Sequence, residues 1–194
     1  MTMPDDKRKL HLVLLSVHGL VRGHDLELGR DDDTGGQIRY VVELARALGE
    51  RDDVARVDLL TRRVMDSSVS SDYARQQERL TDKVSIVRIE CGEDTYIHKE
   101  QLWDCLDNFA DNALNYLREH NLAPDIIHSH YADAGYVGIR LSSLLGIPLV
   151  HTGHSLGRVK RQRLLASGLK RDAIESSYNI SRRIQVEEDI LGAA

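Results

Sequence analysis

Short apolar runs alternate along the chain with longer segments of helical periodicity, and this alternation strongly restricts the possible folds. The five runs are residues 10–17, 54–61, 84–90, 125–130 and 147–152. Strands buried on both faces of a parallel sheet read as short, nearly continuous apolar runs, and the chain must cross over the sheet between them, usually as a helix. The sequence therefore predicts an α/β fold with a parallel sheet covered by helices.

Apolar residues recur at intervals of three and four between these runs, which is typical of helices with one buried face. Three helices are predicted in this way, over residues 38–49, 99–120 and 134–145. Residues 158–191 are predicted to form one or two more helices, with a break at Ser167 and Gly168. The polar segment 65–82 is predicted to be a surface loop containing a short helix.

Composition excludes several classes of protein. The 194 residues are 41% hydrophobic, which is enough for a sizeable core and argues against disorder, and the formal net charge of −5 argues against general nucleic-acid binding. The two cysteines, Cys91 and Cys105, are too few for a disulfide framework, and no apolar run is long enough to span a membrane. We therefore expect a cytoplasmic protein without a nucleic-acid or membrane partner.

Histidines follow three of the predicted strands. Five of the nine histidines lie there, namely His18, His128, His130, His151 and His154. Ligands of open parallel sheets bind outside the carboxyl ends of the strands. His128 and His130 are two residues apart, so on a strand their side chains point to the same side. This clustering predicts a polar site at the carboxyl edge of the sheet.

A glycine turn, residues 31–37 with the sequence Asp-Asp-Asp-Thr-Gly-Gly-Gln, precedes the first predicted helix. Thr34 is a plausible N-cap, which leaves the amides of Gly35, Gly36 and Gln37 at the positive end of the helix dipole. A phosphate or a sugar can approach a glycine backbone closely. The alternative interpretation is a turn that only starts the helix.

Basic residues form the third group of candidates. They are Lys99, Lys160, Arg161, Arg182 and Arg183. Lysine and arginine form charge-assisted hydrogen bonds to phosphate oxygens, although charged residues on helices more often form a solvated face.

Zinc is a further possibility, because His128-x-His130 and His151-x-x-His154 bring imidazoles close together. No HExxH carboxylate or cysteine ligand accompanies these histidines. Hydrogen bonding or core packing explains them more economically, so the sequence predicts no metal site.

Four segments together resemble the sucrose-phosphate synthases. They are residues 18–48, which include Gly-Arg-Asp-Asp-Asp-Thr-Gly-Gly-Gln, and then Tyr-Ile-His-Lys-Glu-Gln-Leu-Trp at 96–103, His-Tyr-Ala-Asp-Ala-Gly at 130–135 and Thr-Gly-His-Ser-Leu-Gly-Arg at 152–158. The likeness covers nearly the whole chain in the same order. Residues 92–96 depart from the family pattern, because two basic residues are missing there.

The resemblance implies one half of a GT-B fold, a Rossmann-like parallel sheet with helices on both faces. It implies a retaining glycosyltransferase that moves glucose from UDP-glucose to the 2-hydroxyl of fructose 6-phosphate, without a cofactor or a bound metal. Residues 1–194 would be the N-terminal acceptor-binding domain. The C-terminal donor-binding domain, a required partner, would be absent, so the chain would be inactive alone.

The resemblance also assigns roles to individual residues. His154 corresponds to the histidine that faces the reacting sugars, and Gly36 lies close to the donor phosphates. The residues implied in binding the acceptor are Gly35, Gln37, Lys99, Tyr131, Ser155, Lys160 and one or both of Arg182 and Arg183. Side chains of adjacent helical residues diverge by about 100°, so the sequence does not decide between the two arginines.

Two alternatives stay open at this stage. The chain could be the same half of a sucrose synthase, which uses free fructose, or a non-catalytic module that binds sugar phosphates.

Overall fold

A computed structural model describes residues 8–194, which form a six-stranded sheet flanked by helices. The strands are β1 (Leu10–Leu15), β2 (Val54–Arg62), β3 (Gln77–Arg79), β4 (Val84–Ile89), β5 (Ile126–His130) and β6 (Leu149–Thr152). Their spatial order is β3-β4-β2-β1-β5-β6, and every neighbouring pair is parallel except β3 with β4. The five predicted strands are confirmed.

Within residues 8–194, six α-helices accompany the sheet. They are α1 (Gly36–Gly49), α2 (Leu106–Glu119), α3 (Ala132–Leu145), α4 (Gly157–Ala166), α5 (Arg171–Tyr178) and α6 (Ile180–Ala193). Helix α1 packs on one face of the sheet, and α2 and α3 pack on the other. Helix α6 packs against both α3 and α4.

Alternate residues of β1 supply the two halves of the core. Leu12 and Leu14 point toward α1, whereas Val13 and Leu15 point toward α2 and α3. A central strand buried on both faces must be apolar throughout, which explains the continuous run at the start of the sequence. The predicted Rossmann-like α/β fold with helices on both faces is confirmed.

The structure corrects the predicted helix over residues 99–120. A 3₁₀ helix, Lys99–Asp104, precedes α2, and Cys105 between them has φ −115° and ψ 2°, outside the α-helical region. The backbone N–H of Lys99 donates to the carboxylate of Asp33 over 2.9 Å, which fixes the start of this segment on another part of the molecule. Tertiary contacts therefore override the continuous helical pattern.

Two further predictions differ from the structure. Residues 65–82 contain the predicted short helix, a 3₁₀ turn over Ser71–Ala74, but also strand β3, whose polar sequence gives no strand signal. The tail forms three helices instead of one or two: the break at Gly168 is confirmed, and Asn179 adds a second break with a left-handed φ of 46°.

None of the helices formed by residues 8–194 combines the length and the apolar composition that crossing a bilayer requires.

Candidate functional site

A cavity of about 810 Å³ opens at the carboxyl ends of β1, β5 and β6, beside the first turn of α1. It is larger than a second cavity of about 440 Å³ between α4 and α5. Nine of the residues to which the family resemblance assigned roles line the larger cavity: Gly35, Gly36, Gln37, Lys99, Tyr131, His154, Ser155, Lys160 and Arg183. The sheet edge that the histidine pattern indicated is therefore the edge where the cavity lies.

The glycine turn forms one wall of the cavity. The Oδ1 atom of Asp31 accepts hydrogen bonds from the amides of Asp33 and Thr34, at 2.9 and 2.8 Å, and tightens the turn. Helix α1 starts at Gly36 with Gly35 as its N-cap, so the prediction that Thr34 is the N-cap is wrong. The Thr34 side chain is buried.

Gly35 and Gly36 leave the start of α1 open. A Cβ atom placed on either glycine would meet nothing within 4 Å, and no side chain of residues 8–194 caps this end of the helix. The fold has room for a larger residue at either position, so crowding within the protein does not explain the two glycines. Backbone amides at a helix N-terminus that open onto a cavity are suited to an anionic or a polar ligand.

Lys99 reaches the cavity from the start of the 3₁₀ helix and forms an ion pair with Asp33. Burial alone would raise the pKa of Asp33, but its hydrogen bonds with Lys99 outweigh this effect and lower the pKa. Burial likewise disfavours the Lys99 ammonium, and the contacts with Asp33 overcome it and raise the pKa. Both groups are therefore charged at neutral pH.

Arg183 and Arg182, adjacent in α6, lie in different places. Arg183 is buried, its guanidinium carbon lies 4.4 Å from the centre of the Tyr131 ring, and its Nε donates to Glu187 over 2.8 Å. Arg182 lies outside the cavity, where it donates to a carboxylate oxygen of Asp104 over 3.1 Å. The structure thus brings Arg183, and not Arg182, to the site.

Lys160 completes a group of three cations. Its Nζ lies 4.0 Å from the centre of the Tyr178 ring and 3.8 Å from a carboxylate oxygen of Glu100. Burial, helped by the positive charges of Lys99 and Arg183, lowers the pKa of Lys160. Lys99, Lys160 and Arg183 all line the main cavity, although each also has a carboxylate neighbour: Asp33, Glu100 and Glu187 respectively. An anion bound between them in the cavity would relieve the repulsion that Lys160 experiences from Lys99 and Arg183.

Two residues of the cavity have unusual backbone conformations. Tyr131, the N-cap residue of α3, has φ 76° and ψ 168°, a backbone region that essentially only glycine occupies. His154 has a left-handed φ of 55°. Such strain persists only where the surroundings enforce it, and it concentrates at functional sites. Here it places the Tyr131 ring under Arg183 and the His154 ring at the mouth of the cavity.

The predicted clustering of the histidines is confirmed. The rings of His128 and His130 are 4.2 Å apart on the same side of β5, and Nδ1 of His130 lies 3.1 Å from Nε2 of His154. Burial, reinforced by neighbouring imidazoles, lowers the pKa of His128 to about 4 and that of His130 to about 2. The cluster is therefore neutral at pH 7, and Nδ1 of His154 is the ring nitrogen left for a ligand.

Two of the strand-end histidines, His128 and His151, also bond to hydroxyl groups. Nε2 of His128 lies 2.8 Å from Oγ1 of Thr152, and Nδ1 of His151 lies 2.8 Å from Oγ of Ser129. Within residues 8–194, no group of three His, Cys, Asp or Glu side chains is arranged to hold a metal ion.

Sequence reasoning found His18 at its strand end but missed its buried partner, Asp133. His18 lines the cavity and its Nδ1 lies 2.7 Å from Oδ2 of Asp133, a residue 115 positions later in α3. The contact with the carboxylate fixes the orientation of the imidazole ring. His18 was noted at its strand end, but no local pattern links it to Asp133.

The family model for Glycosyltransferase Family 4 matches residues 34–186 of the chain. The match begins at the glycine turn and ends in α6, so it includes the main elements that build the cavity.

Two plant enzymes illustrate the similarity to curated proteins. The chain is 47% identical to sucrose-phosphate synthase 4 of Arabidopsis thaliana over 98% of this chain and 20% of the relative. It is 45% identical to the sucrose-phosphate synthase of Zea mays over 97% of this chain and 20% of the relative. The chain therefore spans about a fifth of the length of the curated relatives that it matches.

A solved structure has the same architecture. The sucrose-phosphate synthase from Thermosynechococcus elongatus superimposes with a TM-score of 0.73 at 27% identity, over 94% of this chain and 40% of that chain.

Proposed function

Because this chain belongs to glycosyltransferase family 4 and resembles sucrose-phosphate synthases over nearly its whole length, we propose that it is the acceptor-binding N-terminal domain of such an enzyme. The complete enzyme would transfer glucose from UDP-glucose to the 2-hydroxyl of fructose 6-phosphate, with retention of configuration. A C-terminal donor-binding domain would supply most contacts to the nucleotide. The chain alone would bind the acceptor without catalysing transfer.

One observation carries this proposal: Lys99, Lys160 and Arg183 converge on the main cavity. Each comes from a different element, so their meeting is not a feature of one charged helix face. A dianionic phosphate bound at these three cations would accept charge-assisted hydrogen bonds, each contributing about 1.5–3 kcal/mol. This arrangement favours a phosphorylated acceptor over free fructose.

The sugar ring would lie between these cations and the glycine turn. Tyr131 and Ser155 border the cavity near Arg183, and Gly35 and Gln37 border it at the start of α1. Nε2 of Gln37 donates to Oγ of Ser16 at 3.4 Å, a long bond that a sugar hydroxyl could replace. The phosphate would thus fix the ring so that its 2-hydroxyl faces the donor.

The reacting carbon would lie near His154 and Gly36. In the transfer step, the bond from glucose C1 to the UDP oxygen breaks and a bond to the fructose 2-oxygen forms, through an oxocarbenium-like state. Oriented dipoles stabilise such a state better than a strong base does. Neutral His154 would contribute Nδ1, and the amide of Gly36 at the α1 N-terminus would face the donor phosphates.

An NMR experiment tests this proposal. The phosphorus resonance of fructose 6-phosphate should shift saturably on addition of the chain, and the shift should weaken markedly with Lys160→Ala. The matched control is Arg161→Ala, the next residue of α4, which borders the other cavity. Transfer from UDP-glucose by the chain alone would contradict the proposed inactivity, and no saturable shift would contradict the acceptor site.

A further inference from the structure

The two cysteines of the chain lie against each other in the fold. Sγ of Cys91 is 2.9 Å from Sγ of Cys105, although 14 positions separate the residues. Cys91 is buried just after β4, and Cys105 is partly exposed directly before α2. A disulfide requires about 2.05 Å between the sulfurs, so a small movement would join them.

Gly92 allows the backbone of the loop after β4 to approach Cys105 closely. A Cβ atom on Gly92, which has a left-handed φ of 66°, would lie 3.2 Å from both Cβ and Sγ of Cys105. The loop after β4 therefore packs its backbone directly against the second cysteine.

A buried arginine lies beside the two thiols. The guanidinium of Arg62 donates to the carbonyl oxygens of Cys91 and Thr95 over 2.9 and 2.8 Å, and its Nη1 is buried without a hydrogen-bond partner among residues 8–194. Cys105 also occupies the N-cap position of α2, at the positive end of a 14-residue helix. A nearby guanidinium and a helix N-terminus both favour a thiolate.

The two thiols differ in acidity. The Cys91 thiol donates a hydrogen bond to the Cys105 sulfur, and this bond, with the charge of Arg62, lowers the pKa of Cys105 to about 7 against the opposing effect of burial. The same bond and burial raise the pKa of Cys91. Cys105 is thus the partly exposed nucleophile, and Cys91 is placed to resolve its adducts.

We propose that Cys91 and Cys105 form a reversible thiol oxidation site that responds to low-molecular-weight disulfides. The Cys105 thiolate attacks one sulfur of the small disulfide, forms a mixed disulfide and releases one small thiolate. Cys91 then loses its proton and attacks Sγ of Cys105, which forms the Cys91–Cys105 bond and releases the second small thiolate. The two cysteines lose two electrons, and the small disulfide gains them.

The Cys91–Cys105 disulfide would cross-link the two ends of the segment that carries Lys99. Residues 92–104 lie between the cysteines, and Tyr96 and Lys99 of this segment both contact Asp33 at the cavity wall. Oxidation would therefore restrict one wall of the cavity. The effect on ligand binding rests on the proposed function, whereas the oxidation itself does not.

Mass spectrometry of the full chain tests the oxidation. The reduced protein is incubated with oxidised glutathione, and the remaining thiols are then alkylated in denaturant. Wild type should lose both thiols and keep no glutathione. Cys91→Ser should stop as a glutathione adduct on Cys105, and Cys105→Ser should react much more slowly. Cys91→Ala should give the same adduct as Cys91→Ser and does so without placing a hydroxyl group in the buried position of Cys91.

Two results would overturn the proposal. One is a wild-type protein that keeps both thiols or accumulates stable glutathione adducts at both cysteines. The other is a disulfide that forms but leaves hydrogen exchange in residues 92–104 unchanged, since the cross-link should slow this exchange and raise Tm by roughly 5–10 °C. Both measurements omit the sugar phosphate, so failure of the proposed function would not affect them.

Discussion

The Nη2 atom of Arg183 donates to both the backbone carbonyl and the hydroxyl of Ser155, each over 2.8 Å. This contact ties α6 to the turn after β6, where the strained His154 lies. Helix α6 therefore both supplies a cation and holds the loop that presents the histidine. Under the proposed function, this contact would link the position of the phosphate to the position of His154.

Substitution of Arg183 should distinguish the two neighbouring arginines. Arg183→Lys keeps the charge but loses the planar fork that bonds both Ser155 and Glu187. Loss of one charge-assisted hydrogen bond should weaken fructose 6-phosphate binding by about tenfold to a hundredfold. Arg182→Lys, the matched control, should change Kd by less than about twofold because Arg182 contacts Asp104 outside the cavity. Calorimetry measures Kd for both variants. Equal weakening of binding by the two substitutions would contradict the placement of Arg183, and not Arg182, at the binding site.

Gly35→Ala should separate binding from stability. The space around Gly35 is open and its φ of −110° suits alanine, so the free energy of unfolding should fall by no more than about 1 kcal/mol. The added methyl group occupies the cavity wall where the sugar should approach, so ligand binding should be largely lost. Gly192→Ala, also in open space, should leave binding unchanged. Normal binding by Gly35→Ala would remove the glycine turn from the acceptor site.

Tyr131 allows a direct test of backbone strain. Tyr131→Gly and Tyr131→Ala both remove the ring, but only glycine adopts φ 76° and ψ 168° without cost. Denaturant unfolding should show the glycine variant to be more stable than the alanine variant by about 1–3 kcal/mol. An alanine variant of equal or greater stability would mean that Tyr131 is not strained.

The histidine cluster should make the protein sensitive to acid. In the folded state the pKa of His128 is lowered to about 4 from an ordinary value of 6.5. Below pH 6.5 the unfolded chain therefore binds the proton more readily, and stability should fall as the pH drops from 6.5 toward 4, by at most about 1.4 kcal/mol per pH unit for this histidine. Above pH 7.5 the group should contribute no pH dependence.

His128→Gln isolates this effect from that of other titrating groups. Urea unfolding of the variant between pH 7.5 and pH 4 should give a shallower loss of stability than wild type. Parallel curves for the two proteins would show that His128 is not held neutral by the fold.

Much of the site could be predicted because it follows the strand ends. His128 and His130 are set side by side by the two-residue period of β5, and the existence of α1 follows from its helical pattern, although its N-cap is Gly35 instead of Thr34. Neither conclusion needs a long-range contact. The strand and helix patterns also determined the sheet, apart from the polar edge strand β3, which lacks an apolar run.

Long-range pairing accounts for what the sequence did not reveal. The choice of Arg183 over Arg182 depends on the rotation of α6 against α3, and the bond between His18 and Asp133 joins residues 115 positions apart. The contact between Cys91 and Cys105 likewise depends on how the loop after β4 returns to α2. Tertiary packing fixes all three.

The proposed recognition of a phosphorylated ketose by this cavity is tested most directly by a calorimetric titration of the chain with fructose 6-phosphate and, separately, with fructose. We predict saturable binding of fructose 6-phosphate and at least about tenfold weaker binding of fructose, the difference expected from one or more charge-assisted hydrogen bonds. Equal affinities for the two sugars would contradict the claim.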